Sequence, residues 1–186
     1  LPLYPEEKVD KTLKRDGELT ILDVFTARSK VGQTKINFPL IISQSKGVLP
    51  ALSQFHYIKD YCDRFGITGN GTETNTQNYH LDLCPDISLS RTTIQRKIEE
   101  HPELRRALQH TAYLYQIGRY WKNFDSNLLC TPKELYEDIK KLGYDWGELL
   151  QCRDWWLPDQ YTNPVRYLSI IDLLKMRAGT YTPYWK

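Results

Sequence analysis

Residues 86–122, DISLSRTTIQRKIEEHPELRRALQHTAYLYQIGRYWK, carry the pattern on which the reading of this fold turns. Ile94 and Ile98, four apart, give a short helix one inward face, and Thr92, Gln95, Arg96 and Glu99 then point outward, with Arg91 at the margin. Ile87-Ser88-Leu89-Ser90 before it reads as a tight apolar turn followed by a serine cap. Pro102 restarts a helix, because proline suits a first turn and blocks a helix interior. From there to about Lys122, residues Leu104, Ala107, Leu108, Thr111, Leu114, Tyr115, Gly118 and Trp121 fall on one face at helical period, which predicts a core face. The other face steps Arg106, Gln109, Tyr113, Gln116, Tyr120, flanked by Arg105 and His110. That row of donors and rings is one that packing alone does not require.

Working outward, a helix fits 51–65, with Leu52, Phe55, Ile58 and Cys62 on one face and Gly66 as its stop. Residues 66–78, GITGNGTETNTQN, read as a mobile polar loop. It has no lysine and lacks the glycine-lysine order of a phosphate-binding loop. Leu19–Ala27 is apolar and fits strand or helix. KINFPLIIS (35–43) has strand-type residues, but Pro39 demotes it to an edge strand or connector. Thr131-Pro132-Lys133-Glu134 predicts a capping box, Asp145 a cap for a short helix over 146–153, and Asn163-Pro164 the start of a last helix ending at Gly179. The fold expected is mainly α: a bundle of about five to seven helices with little β-strand. Its organisation is an extended or mixed segment over 1–50 followed by one helical domain over 51–186.

Composition narrows function by exclusion. The chain has 186 residues and a formal charge of +2, so it is not globally basic. Residues 91–125 hold seven basic side chains against four acidic, which places positive excess on the opening stretch. The four cysteines form no C-x-x-C and have no histidine at zinc spacing, so neither a metal nor another cofactor is expected. Cys62/Cys84 and Cys130/Cys152 would pair locally in a secreted form. The expectation is instead a cytoplasmic, nucleoid or nuclear protein with no membrane partner, since no apolar run is long enough to span a bilayer. Starting at Leu1 without Met, the sequence reads as a processed form, a fragment of a longer protein or a trimmed one. No H-E-x-x-H and no G-x-S-x-G occurs, and the neighbouring carboxylates sit at helix-surface spacing, so catalysis is not expected.

The run Ser90-Arg91-Thr92-Thr93-Ile94-Gln95-Arg96 resembles the S-R-T-T-hydrophobic-x-R core of many bacterial helix-turn-helix recognition helices. The resemblance implies DNA as partner, ahead of RNA, and a first helix over 76–84. Thr92, Gln95 and Arg96 would then approach base edges, with Arg91, Lys97, Arg105, Arg106 and Arg119 on phosphates. Gln109, Tyr113, Gln116 and Tyr120 would offer stacking rings and polar contacts to a strand lying along the second helix. The alternative is a non-catalytic subunit or fragment of a larger nucleoprotein assembly. Small helical subunits of CRISPR effector complexes, similar only in architecture, and transposition complexes are of that kind. The Tyr/Arg face would then dock other protein subunits.

Overall fold

The computed structural model describes residues 19–25, 37–43, 47–70, 78–90, 93–154 and 166–186. Among these, two three-stranded antiparallel sheets accompany six α-helices, so the fold is mixed α and β. The expected bundle with little strand is thereby corrected.

The first sheet has the order β1 (Leu19–Phe25), β2 (Asn37–Ser43), β3 (Gly47–Val48). β1 and β2 pair along their full length, Leu19 opposite Ser43 and Phe25 opposite Asn37. β2 is therefore the middle strand, not an edge or a connector. Pro39 is tolerated there because β3 pairs only with Ile42 and Ser43. Ile41, two residues on, turns its N–H and carbonyl away from β1, to Ser53 and Leu49, so the absent N–H of Pro39 falls on the same side, which no described strand pairs with at that point.

Helix α1 (Pro50–Tyr61) is fastened to β2 at its start. Ser53 Oγ accepts from the Ile41 amide at 2.8 Å and donates to the Leu49 carbonyl at 2.7 Å. Its inward residues are those the spacing predicts: Leu52, Phe55, Ile58 and, just beyond, Cys62 are all buried. Gly66 ends the following turn at φ +68°, and a Cβ there would stand 2.6 Å from Pro132 Cγ and 2.8 Å from Thr111 Cγ2. Glycine is required both by the left-handed backbone and by the close approach of two other elements.

The second sheet replaces two sequence expectations. Part of the supposed loop is strand β4 (Ile67–Asn70), while 71–77 lies outside the described residues. The supposed first helix is a hairpin of β5 (Asn78–Leu81) and β6 (Cys84–Ser90), with a register irregularity between Tyr79 and Leu81. Alternation decides the matter. Tyr79 and Leu81 are buried whereas Asn78 is exposed and His80 half-buried, a period of two that no helix can satisfy. Ile87–Ser90, read as turn and cap, is the second half of β6. The two-helix arrangement on which the helix-turn-helix resemblance depended is therefore not formed.

Helix α2 (Ile94–Glu100) follows, and His101-Pro102 separates it from α3 (Pro102–Tyr120). α4 (Pro132–Lys141) has the predicted capping box, and α5 (Trp146–Leu150) is capped by Asp145. α6 (Ile170–Arg177) starts later than expected, at a Ser169/Asp172 capping box, and Asn163-Pro164 lies outside the described residues. α3 is the axis of the molecule: α1, α2, α5, α6, β5 and β6 all pack on it. Leu104, Ala107, Leu108, Leu114 and Ile117 are buried there, each larger side chain contributing about 1.5–3 kcal/mol of hydrophobic stabilisation. Trp146 donates its indole N–H to the Leu83 carbonyl at 2.6 Å, which ties α5 to the β5–β6 turn. All four cysteines are free thiols, so the local pairs weighed for a secreted form are not made. No helix among the described residues is long and apolar enough to cross a membrane.

Candidate nucleic-acid interface

The twelve residues that sequence singles out meet different fates. Arg91 and Thr92 lie outside the described residues. Gln95, expected to face outward, is buried and donates to Glu99 at 2.5 Å. Lys97 reaches back to the Ser88 carbonyl and braces α2 on β6. Arg96 does point to solvent, where it lies 3.9 Å from Glu100. Arg105 donates to the Ile98 and Glu99 carbonyls at 3.1–3.4 Å, satisfying the open C-terminal end of α2.

Arg106 departs furthest from expectation. It is 7% exposed, and its guanidinium forks onto the carboxylate of Asp154, which is 0% exposed. It also donates to the Leu168 carbonyl at 2.9 Å. One nitrogen extends outward to Gln109 Oε1 at 3.0 Å, and Gln109 donates in turn to the Tyr113 hydroxyl at 2.9 Å. The polar row on α3 thus begins in a buried ion pair. A chain from Asp154 through Arg106 and Gln109 to Tyr113 uses the donors that a phosphate would need, and Arg106 cannot contact a ligand at the surface.

Beside this chain sits His110, 1% exposed. Among the described residues neither ring nitrogen has a hydrogen-bond partner, and Arg106 Nε lacks one as well. Burial, with the neighbouring Arg106 charge, holds the imidazole well below its usual range, so it is neutral. The thiols are equally quiet: burial pushes Cys62, Cys84, Cys130 and Cys152 up to about 11. None is a thiolate nucleophile near neutrality. Among the described residues no group of histidine, cysteine and carboxylate side chains is placed to hold a metal.

The C-terminal end of α3 differs. Gln116 and Arg119 are exposed, and Tyr120 is half-buried against Tyr57. The helix stops at Tyr120, and Trp121 takes φ −92°, ψ 83°. Helical spacing therefore no longer applies at Trp121. It is 56% exposed instead of core, and Phe124 meets it edge-on with ring centres 6.1 Å apart. Arg119 and the exposed Lys122 form no ion pair among the described residues. Sequence reasoning missed Trp121 because it extended a 3.6-residue period one residue past the helix end. No glycine or proline follows Tyr120 to mark that end, and Asn123 is the nearest stop-type residue.

No protein-family model, no curated protein and no solved structure matches the chain.

Proposed function

We propose that the protein binds nucleic acid at the C-terminal end of α3, with Trp121 as a stacking platform and Arg119 and Lys122 on phosphates. The observation that carries this reading is a large ring, more than half exposed, between two cations that no carboxylate among the described residues pairs with. Stacking on an exposed indole suits any base, and a base is free to stack only when it has left a duplex. Single strands are therefore the favoured ligand. The helix terminus itself presents carbonyls, its negative pole, so the two side-chain cations must supply the attraction. Gln116, one turn back, adds a polar contact. Fluorescence anisotropy with single-stranded and duplex oligonucleotides over a salt series tests the reading. Tighter single-strand binding, lost in Trp121→Ala, supports it; equal affinity of the variant rejects it.

A protein partner is the second reading, and a separate observation favours it. Leu142 and Tyr184 are 53% and 65% exposed, and each lies two residues from the contact of Lys186 with the Tyr144 ring, 4.3 Å apart. An aromatic and aliphatic surface of this kind suits a subunit contact. Light scattering after size exclusion distinguishes the readings: a monomer with single-strand affinity supports the first alone.

A further inference from the structure

The buried His110 lies away from the proposed nucleic-acid site at Trp121, and its surroundings give it another use. Arg106 holds two separate stretches of chain against α3: Asp154 by its carboxylate and Leu168 by its carbonyl. Those stretches also join each other. Arg153 donates to the Arg166 carbonyl and Leu168 to the Arg153 carbonyl, each at 2.9 Å. Arg106 is thus the bolt of a clamp. His110 stands on α3 four residues further, one turn away on the same side.

We infer that this clamp is acid-sensitive: a proton taken up by His110 sets a second buried cation one turn from the Arg106 guanidinium and frees Asp154 and Leu168 from α3. Two observations carry the inference. An imidazole without a hydrogen-bond partner has nothing to stabilise its charged form. Asp154, the one carboxylate among the described residues that bonds Arg106, is already engaged on both oxygens.

Among the described residues, the charged groups of the other elements packed on α3 are paired elsewhere or exposed. On α1, His56 and Lys59 both pair with Asp60. On α2, Lys97 is held by Ser88, Glu99 by Gln95 and Glu100 by Arg96. On α5, Glu148 pairs with Arg166, and beyond it Cys152 is a buried protonated thiol. On α6, Asp172 caps its own helix, Arg177 pairs with Asp138 and Lys175 is exposed. His80 of β5 bonds the Pro85 carbonyl, and on β6 Cys84 is protonated and Asp86 exposed. Among the described residues, Arg106 is the charge that bears on His110.

The sign follows from linkage. The unfolded or opened chain binds the His110 proton near pH 6.5, whereas the closed clamp resists it. The contribution is fully present above about pH 6.5 and is lost below it, about tenfold in the closing equilibrium per pH unit. Amide hydrogen exchange tests this, corrected for intrinsic rates. Between pH 7 and pH 5 the Arg153 and Leu168 amides should lose at least about tenfold protection, while those of α4 lose less. In His110→Leu that loss should disappear. An unchanged loss in the variant, or no loss in the wild type, overturns the inference. Should the variant not fold, the wild-type ring decides by NMR titration: an imidazole that protonates at or above about 6.5 with the clamp amides still protected rejects it.

Discussion

The two halves of α3 are alike in sequence and opposite in use. Arg105 to Tyr113 and Gln116 to Lys122 both mix basic, amide and aromatic side chains. In the first half every notable donor is spent inside the molecule: Arg105 on the end of α2, Arg106 on Asp154, Gln109 on Tyr113. At the end of the second half and just beyond it, Arg119, Trp121 and Lys122 are left to solvent. The difference lies in a partner, not in the helix. Asp154, 48 residues away along the chain, converts one arginine from a surface cation into a core anchor. Among the described residues no equivalent acid reaches the far end.

The largest effect should come from removing that anchor. Arg106→Ala leaves a carboxylate with no exposure and no counter-charge, and should cost about 3–5 kcal/mol in urea unfolding. Replacing both partners, as Arg106→Met with Asp154→Leu, should recover much of the loss, because no buried charge remains. Oligonucleotide affinity of the folded fraction should not change. An Arg106→Ala protein of full stability but weakened binding would reverse the assignment of the two halves.

A smaller loss is expected where the turn at Gly66 meets α3. Gly66→Ala must place a Cβ against Thr111 and Pro132 while keeping φ near +68°. Left-handed strain and overpacking together should cost about 2–4 kcal/mol. A near-neutral result would show that the turn can move away from α3, and that the helix is less enclosed than its burial implies.

At the far end the balance inverts. Trp121→Ala should change stability by less than about 0.5 kcal/mol, as surface substitutions do, yet weaken single-strand binding by about 1–3 kcal/mol. Arg119→Ala and Lys122→Ala should each reduce the salt slope by about 0.7, the loss of one phosphate contact. Loss of stability without loss of affinity at Trp121 would make it a packing residue after all.

What was legible in the sequence follows the range of the interaction. Capping boxes are local, so Thr131/Glu134 and the Asp145 cap were readable from four adjacent residues. The inward face of α1 was readable from its own period. The β5–β6 hairpin was hidden because its strands are short and a serine-rich strand end imitates a helix cap. β2 was misplaced because Pro39 is a rule about hydrogen bonds, and the open side of that strand is set by the length of β3. The site suffered most. Arg106 and Arg119 are the same residue type on one helix with polar neighbours on either side, and the buried pairing with Asp154 is visible only in the tertiary structure.

The smallest effect tests that distinction of range from the other direction. His56 and Asp60 lie one turn apart on α1, a pair that sequence spacing does disclose, 3.3 Å between Nδ1 and Oδ2. Burial alone pushes the Asp60 carboxyl up, but the His56 hydrogen bond and the Lys59 charge outweigh it and bring it from 3.8 to about 2. Its folded value is depressed, so its contribution is present above pH 3.8 and is lost as pH falls toward 2. A partly exposed local pair of this kind contributes about 0–1 kcal/mol. Asp60→Asn should therefore flatten only the most acid part of the stability curve. The loss that begins below about pH 6.5 belongs to His110 and should be untouched. If Asp60→Asn removed that earlier loss instead, acid sensitivity would reside in the local pair on α1, and the buried half of α3 would be an inert anchor.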